Sequence, residues 1–352
     1  MPATFHPLRV AELTPTTDDA VVITFEVPVE LSQEYAFRAG QHLTIRTHLH
    51  GVEERRSYSI CAAPSSGRLQ IGVKLLPGGA FSTFVHDQLA VGDQLDVMTP
   101  AGRFSPRDPT AEGRHYGAVV AGSGITPVMS IMAEILRTTE TSTFTLLYGN
   151  RGTSSVMFAE EIADLKDTHP DRLQVFHVLS RELHASAVLA GRMEGEKLIT
   201  LLDHFTSDDV AVDEWFLCGP YAMVTATSAE LTRRGLGRRQ VHSELFWTGE
   251  VEPPQPTHRE QGAQVTARLD GRTTSFSMPA AGSVLDAVLA QRPEAPFACK
   301  GGVCGTCRVK VISGEVEMAR NHALDPQDLE AGFRLACQSV PVTDELTVDF
   351  DA

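Results

Sequence analysis

Apolar positions in the first part of the chain fall into short runs that are separated by turn residues. Glycine and proline clusters such as Pro77-Gly78-Gly79 interrupt these runs. Many short strands at this spacing are typical of an antiparallel barrel or sandwich, which we predict for residues 1–108. The five clearest strands are predicted at 20–27, 42–47, 55–60, 69–75 and 94–98.

From residue 109 onward, apolar and β-rich runs alternate with helical segments. Alternation of this kind predicts a parallel sheet with helices on both faces, here over residues 109–248. The predicted strands are 116–121, 143–148, 173–179 and 214–218. The predicted helices are 127–137, 157–166, 195–204 and 221–234.

Residues 249–262 are proline-rich and lack an apolar rhythm, so they are predicted to form a semi-rigid linker. Beyond the linker, Asp270-Gly271 separates two predicted strands, which is a strong signal for a β-hairpin. Ser283 is a predicted N-cap for a helix that ends at Gln291, and Asp325-Pro326 begins a second short helix. Residues 263–352 are therefore assigned to a separate α+β domain.

The chain of 352 residues carries 30 Lys and Arg against 45 Asp and Glu, which gives a net charge of -15. Nucleic acids and anionic membrane surfaces attract basic proteins, so neither is expected as the main partner. No apolar run reaches the roughly 18 residues that a membrane-spanning helix needs. The N-terminal segment lacks the basic and apolar regions of a secretory signal, so we expect a cytoplasmic protein.

Four of the six cysteines lie in the last quarter of the chain, in the order Cys299-x4-Cys304-x2-Cys307 and then Cys337. This spacing is the plant-type [2Fe–2S] signature. Glycines in the same loop allow the backbone to fold tightly around a cluster and to direct N–H groups at its sulfurs. A structural zinc site, which usually uses two closely spaced pairs, and four unrelated thiols are the alternatives. We predict that these four cysteines ligate a [2Fe–2S] cluster.

A second motif, Arg56-Ser57-Tyr58-Ser59, ends a predicted strand, and the glycine-rich turn Gly78-Gly79-Ala80-Phe81-Ser82 follows further along and precedes a helix. A flavin nucleotide needs a cation at its phosphates, an aromatic ring over its isoalloxazine, and free N–H groups at a helix N-terminus. Arg56, Tyr58 and the turn at 79–82 could supply these in that order. Ser59 could donate a hydrogen bond near the flavin N5.

Three histidines, His42, His48 and His50, lie on or near one predicted strand. We expect them to be partly exposed strand residues and not metal ligands. Cys61, just beyond Ser59, is predicted to be a buried thiol.

The segment Gly122-Ser123-Gly124-Ile125-Thr126-Pro127 follows an apolar strand and opens a helix. Paired glycines let the chain approach a pyrophosphate, and a helix N-terminus attracts it. Polar segments also end the next three predicted strands: Asn150-Arg151, Ser180-Arg181 and Cys218-Gly219-Pro220. Because α/β sheets bind ligands at the C-terminal ends of their strands, these segments predict a dinucleotide site.

With these motifs, residues 6–246 resemble the ferredoxin–NADP reductase superfamily, and residues 263–352 resemble plant-type ferredoxins, with a β-grasp-like fold. The resemblance implies an antiparallel β-barrel that binds FAD and an α/β domain that binds NADPH, with NADH as the alternative. The implied FAD contacts are Arg56, Tyr58, Ser59, Gly79 and Ser82. The implied dinucleotide contacts are Gly122, Gly124, Thr126, Asn150, Arg151, Ser180, Arg181, Gly219 and Pro220.

Three residues are implied to take part in hydride transfer. Ser59 lies near the flavin N5, Cys218 approaches the nicotinamide, and Glu244 helps to arrange the hydride-transfer site. Ser180 and Arg181 match the positions that bind the 2′-phosphate of NADPH. A hydroxyl and a guanidinium suit a phosphate, whereas an acidic residue would suit the ribose diol of NADH, so NADPH is favoured.

Segments 4–11, 54–61, 314–324, 335–339 and 348–351 look most like the reductase subunits of phenylacetyl-CoA epoxidase complexes. The implied function is electron transfer from NADPH through FAD and a [2Fe–2S] cluster to a soluble, multisubunit diiron oxygenase that epoxidises the ring of phenylacetyl-CoA. The first alternative is the reductase component of a 3-ketosteroid 9α-hydroxylase or another Rieske ring-hydroxylating oxygenase. The second is a redox-sensing or scaffold protein that keeps the cofactors but has little turnover.

Overall fold

The computed structural model describes residues 4–182, 186–205, 211–237, 239–246 and 262–352. These residues divide into two compact units, one formed by Phe5–Phe246 and the other containing residues 262–352. The predicted linker at 249–262 lies outside the described residues except for Gly262. No helix in the described part of the chain is long and apolar enough to cross a membrane.

The first unit begins with an antiparallel sheet that closes into a barrel. Among the described residues its order is β4-β3-β6-β1-β2-β5. An isolated bridge between Ile60 and Ile71, next to a hydrogen bond from the Cys61 N–H to the Gln70 carbonyl (2.9 Å), joins the two edges. The strands are β1 (Phe5–Thr17), β2 (Ala20–Glu26), β3 (His42–Leu49), β4 (Val52–Ser59), β5 (Leu69–Lys74) and β6 (Gln94–Met98), with helix α1 (Ala80–Asp87) between the last two.

Alternating residues of these strands fill the barrel. Leu8, Ile23, Leu43, Ile45 and Val97 are fully buried. Because side chains alternate between the two faces of a strand, the same strands present polar residues outward. The predicted antiparallel barrel is confirmed, and β1 is a strand in addition to the five predicted.

The second half of this unit is a parallel sheet with the order β11-β10-β7-β8-β9, counted over the described residues. Its strands are β7 (His115–Ala121), β8 (Thr143–Asn150), β9 (Leu173–Leu179), β10 (Glu214–Gly219) and β11 (Val241–Leu245). Its helices are α2 (Ile125–Thr138), α3 (Ala159–Thr168), α4 (Glu196–Phe205) and α5 (Tyr221–Arg233). Helix α3 begins after the predicted start at 157, because Phe158 adopts a left-handed conformation (φ 59°) before it.

Helix α2 packs against the barrel and fixes the two halves of the first unit to each other. The buried Ser130 hydroxyl donates to the Ala62 carbonyl (2.6 Å), and the Ser65 N–H donates to Glu134 Oε2 (2.9 Å). Gly72 on β5 lies against Thr126 so closely that a Cβ there would be 2.8 Å from the Thr126 methyl carbon. The start of α2 is therefore held at the barrel wall.

The C-terminal unit is a β-grasp-like α+β domain. Within residues 262–352 its main sheet has the order β13-β12-β18-β14-β16, and β15 pairs with β17. The strands are β12 (Ala263–Leu269), β13 (Arg272–Met278), β14 (Arg308–Ser313), β15 (Val316–Met318), β16 (Phe333–Leu335), β17 (Ser339–Pro341) and β18 (Glu345–Asp349). The helices are α6 (Val284–Gln291) and α7 (Pro326–Glu330).

Local capping explains where these last helices begin. The Ser283 hydroxyl accepts a hydrogen bond from the Asp286 N–H (3.1 Å) at the start of α6. At α7, Asp325 accepts from the Asp328 N–H (2.8 Å), and Asp328 accepts from the Asp325 N–H (3.3 Å). Both predicted helix starts and the predicted hairpin at Asp270-Gly271 are confirmed.

The close contact at Gly72 generates a stability prediction. In Gly72→Ala the added methyl meets the buried Thr126 side chain, so we expect the free energy of unfolding to fall by about 1–3 kcal/mol, the usual cost of overpacking. The urea midpoint of the FAD-loaded protein measures it. Gly237→Ala is the matched control, because its added Cβ would have only an ordinary contact at 3.6 Å. Equal midpoints for the two variants would contradict the close packing at Gly72.

Candidate functional site

The end of β4 presents the predicted flavin-binding side chains. Arg56 is about half exposed, and its guanidinium pairs with Glu54 Oε2 at 2.7 Å. The two residues are two positions apart on one strand, so their side chains share a face. An exposed guanidinium that is already oriented by a carboxylate fits a site for flavin phosphate.

The side chain of Tyr58, on β4, faces helix α1. Its ring lies 5.4 Å from the ring of Phe81, which is buried at the start of α1. Burial raises the pKa of the Tyr58 hydroxyl well above its ordinary value, so the phenol stays neutral. A half-buried aromatic ring at this position fits the predicted cover for the isoalloxazine.

The turn before α1 is held by Ser82. The Ser82 hydroxyl donates to the Gly79 carbonyl and accepts from the Leu76 N–H, both at 3.1 Å. Its hydroxyl is buried in the turn, so the groups that α1 offers to a phosphate are the main-chain N–H groups of its first turn. The predicted roles of Gly79 and Ser82 therefore depend on main-chain geometry.

The predicted hydride-transfer residues are brought together from both halves of the first unit. The Ser59 hydroxyl at the end of β4 donates to Glu244 Oε2 on β11 at 3.0 Å, across 185 positions of sequence. Glu244 is the register partner of Cys218 on the neighbouring parallel strand β10. Ser59, Cys218 and Glu244 thus form one cluster at the boundary between barrel and parallel sheet.

Burial controls the protonation of this cluster. Desolvation raises the pKa of Glu244 to about 7, against a smaller opposing effect of the Ser59 hydrogen bond. Desolvation, together with the nearby Glu244 charge, also raises the pKa of the Cys218 thiol well above its ordinary value. Cys218 is therefore a neutral thiol, and Glu244 can hold or release a proton near neutral pH.

His42 was not assigned a role from the sequence, and the expectation that it would be partly exposed is wrong. It is 4 % exposed and is the antiparallel register partner of Ser59. Its Nε2 has no hydrogen-bond partner in the described chain, and burial lowers its pKa to about 4. No local sequence pattern indicates this burial, because it depends on Ala101-Gly102 crossing beside the strand.

The predicted dinucleotide loop is fixed at the C-terminal ends of the parallel strands. The buried Tyr148 hydroxyl donates to the Gly122 carbonyl at 3.2 Å. The main chain at Gly124 lies against the carbonyl of Cys218, where a Cβ would be only 2.3 Å from that oxygen. The loop that precedes α2 is therefore close to the strand end that carries Cys218, Gly219 and Pro220.

Thr126 is 2 % exposed, its hydroxyl donates to the Ser123 carbonyl (2.9 Å), and its methyl lies against Gly72. The buried Thr126 side chain is therefore part of the packing inside this loop. Asn150 is buried at the end of β8, where its side-chain amide lies close to the Tyr148 hydroxyl.

The predicted 2′-phosphate pair Ser180-Arg181 lies beside Asn150-Arg151, two further predicted dinucleotide contacts. The Ser180 N–H donates to the Asn150 carbonyl (2.9 Å), and the Arg181 N–H donates to the Arg151 carbonyl (2.8 Å). Arg151 and Arg181 are both exposed. Glu182 beside them was not predicted from the sequence. Its carboxylate accepts from the Thr153 N–H (2.8 Å) and hydroxyl (2.7 Å), so it is engaged in bracing the adjacent turn.

The four clustered cysteines of the C-terminal unit form two pairs. The thiol of Cys299 lies close to that of Cys304, and the thiol of Cys307 lies close to that of Cys337. No group of three or more His, Cys, Asp or Glu side chains in the described residues is placed to hold a single metal ion. Two thiol pairs suit two bridged irons better than one tetrahedral zinc.

Main-chain and side-chain donors surround these sulfurs. The Gly301 N–H lies 3.3 Å from the Cys299 sulfur. The Gln338 amide lies 3.7 Å from the Cys337 sulfur. Donors directed at thiolates favour the negative charge of an iron–sulfur centre. The residues present therefore fit a [2Fe–2S] cluster.

Three sequence families match successive parts of the chain. The "Oxidoreductase FAD-binding domain" family matches residues 7–105, and the "Oxidoreductase NAD-binding domain" family matches residues 119–229. The "2Fe-2S iron-sulfur cluster binding domain" family matches residues 267–342. The chain is therefore an oxidoreductase with FAD, nicotinamide dinucleotide and [2Fe–2S] as its cofactors.

Curated relatives match along nearly the whole chain. One is a component of the 1,2-phenylacetyl-CoA epoxidase of Escherichia coli (strain K12), with 42% identity over 99% of this chain and 98% of the relative. Another is the 3-ketosteroid-9-alpha-monooxygenase, ferredoxin reductase component, of Rhodococcus rhodochrous, with 34% identity over 97% of this chain and 96% of the relative.

Solved structures share the fold of the entire chain. Phthalate dioxygenase reductase matches with a TM-score of 0.57 at 24% identity, over 98% of both chains. An intact type IV self-sufficient cytochrome P450 monooxygenase matches with a TM-score of 0.71 at 24% identity, over 98% of this chain and 41% of the other. The order of barrel, parallel sheet and β-grasp-like domain thus recurs in known structures.

The raised pKa of Glu244 generates a prediction for stability against pH. The folded protein keeps this proton up to about pH 7, whereas the unfolded chain releases it near the ordinary value of 4.5. Stability therefore falls as pH rises through this window, by at most about 3 kcal/mol. In Glu244→Gln this pH-dependent loss of stability is absent, because an amide does not ionise. The melting temperature of the variant should therefore be close to that of wild type at pH 5 and higher than that of wild type at pH 8.

The control is Glu160→Gln, which changes an exposed carboxylate on α3 in the same way. Its melting temperature should follow that of the wild type across the range. Parallel curves for Glu244→Gln and wild type would contradict the proton-holding role of Glu244.

Proposed function

We propose that this chain, which belongs to the ferredoxin reductase family of FAD-, NAD- and 2Fe-2S-binding oxidoreductases, is the reductase component of a phenylacetyl-CoA epoxidase. Its partner is then a soluble, multisubunit diiron oxygenase, and both act in the cytoplasm in phenylacetate catabolism. The observation that carries the proposal is the 42% identity with an epoxidase component over 99% of the chain.

The domain boundaries and site residues belong to the same proposal. We place the FAD-binding barrel at 1–108, the dinucleotide-binding domain at 109–248, the linker at 249–262 and the ferredoxin domain at 263–352. The three family matches lie inside the corresponding ranges and support them. The cluster ligands are Cys299, Cys304, Cys307 and Cys337, whose pairing supports the assignment.

When bound, a flavin accepts a hydride from a nicotinamide and can release electrons singly, as a [2Fe–2S] cluster requires. The chain supplies the surroundings for that exchange. The Ser59 hydroxyl lies between barrel and parallel sheet and donates to Glu244 Oε2 at 3.0 Å, and Glu244 can hold or release a proton near neutral pH. The fully buried Cys218 places a neutral thiol beside Glu244 on the neighbouring strand.

NADPH is the proposed electron donor. The adjacent Ser180 and Arg181 offer a hydroxyl and an exposed guanidinium at the end of β9, a combination that suits a phosphate. Glu182, the nearby carboxylate, is engaged by Thr153 and is not offered to a ribose diol. These contacts support NADPH over NADH.

The reductase component of a 3-ketosteroid 9α-hydroxylase is the second candidate. Its support is the 34% identity with a relative of that name over 97% of the chain. The two candidates share their cofactors and differ in the oxygenase that receives the electrons. Partner selectivity is therefore the property that separates them.

Reconstitution tests the choice of partner. The cofactor-loaded chain is mixed with NADPH, oxygen and either a purified phenylacetyl-CoA diiron oxygenase or a purified 3-ketosteroid hydroxylase, and the oxygenated products are measured by mass spectrometry. We expect turnover with the first and much slower turnover with the second. Faster steroid hydroxylation would overturn the proposed partner, and failure to reduce cytochrome c would overturn the reductase function itself.

Arg181→Gln tests the proposed donor preference. Loss of one charge-assisted contact to phosphate is expected to lower kcat/KM for NADPH by about 10- to 100-fold, while kcat/KM for NADH changes much less. Arg137→Gln, at the exposed far end of α2, is the control and should leave both values unchanged. An equal fall for NADPH and NADH would contradict a 2′-phosphate role for Arg181.

A further inference from the structure

Gln338 is a buried polar residue that directly follows the distal cysteine of the cluster site. It is 1 % exposed and ends the short helical turn Ala336–Gln338. Long amide side chains are rarely buried unless their hydrogen bonds are made. Its contacts therefore indicate why this position holds an amide.

The amide nitrogen of Gln338 faces two different segments. Nε2 donates to the Lys300 carbonyl in the cysteine loop at 2.6 Å. The same nitrogen lies 3.2 Å from the carbonyl and 3.7 Å from the sulfur of Cys337. A primary amide has two hydrogens, so one can donate to the Lys300 carbonyl while the other is shared between the carbonyl and the sulfur of Cys337.

Gln338 also holds the cysteine loop in its bent form. Lys300 adopts a left-handed conformation (φ 51°), which is unfavourable for a residue with a side chain, and its carbonyl is the group that Gln338 binds. At Gly302 in the same loop, a Cβ would lie 3.1 Å from Gln338 Cγ. The side chain thus fixes the loop of the first three cysteines against the fourth.

We propose that Gln338 is a positioning residue that raises the reduction potential of the cluster by donating a hydrogen bond to the Cys337 sulfur. The inference rests on the proposed cluster site. Reduction adds negative charge to an iron–sulfur centre, and a donor at a ligating sulfur stabilises that charge. Removing the donor makes reduction harder and lowers the potential.

The experiment compares Gln338→Leu and Gln338→Glu with wild type in the full-length, cofactor-loaded protein. Anaerobic, dye-mediated titration followed by electron paramagnetic resonance gives the midpoint potential of the cluster. For Gln338→Leu we expect about a tenfold fall in the one-electron reduction equilibrium constant, which is 59 mV. The midpoint potential of Gln338→Glu should fall further, because a carboxylate replaces the donor with negative charge. Gln264→Leu is the matched control and should not change the potential, because Gln264 is exposed on β12 and donates to Ser277.

Unchanged potentials in cluster-loaded Gln338→Leu and Gln338→Glu would overturn the inference. Loss of the cluster from both variants would also overturn it, because Gln338 would then act only in folding or assembly. These outcomes differ from failure of the proposed function, in which the wild-type chain itself would lack the absorption spectrum of a [2Fe–2S] cluster.

Discussion

The contact between barrel and parallel sheet is the constraint on which the proposed hydride-transfer site depends. Ser59 belongs to the barrel and Glu244 to the last strand of the sheet, and their hydrogen bond of 3.0 Å exists only while the two halves keep one relative position. Helix α2 secures that position through Ser130 and Ala62. Neither half alone contains all the residues of the proposed hydride-transfer site.

Much of this arrangement can be predicted from the sequence, because it depends on local patterns. Strand–helix alternation locates the parallel sheet, and cysteine spacing predicts the proposed cluster ligands. The N-caps Ser283 and Asp325 are likewise encoded by neighbouring residues, and both begin helices where predicted. Short-range physical rules therefore identify the cofactor motifs and most secondary structure.

The remaining features depend on contacts between distant segments. The burial of His42 requires residues 101–102, and the contacts of Gln338 require a loop almost forty positions earlier. The bracing of Glu182 by Thr153 also joins two separate strand ends. Periodicity and local spacing carry no information about such pairs, which is why these residues have no role that could be predicted from the sequence.

The proposed reductase function requires electrons to pass from dinucleotide to flavin and then to the cluster. Anaerobic rapid mixing of the cofactor-loaded chain with NADPH, followed by absorption spectroscopy, tests this order most directly. We predict that flavin absorbance is lost first and that the cluster is reduced in a second, slower phase without any added mediator. Bleaching of the flavin while the cluster stays oxidised would contradict this order of electron transfer.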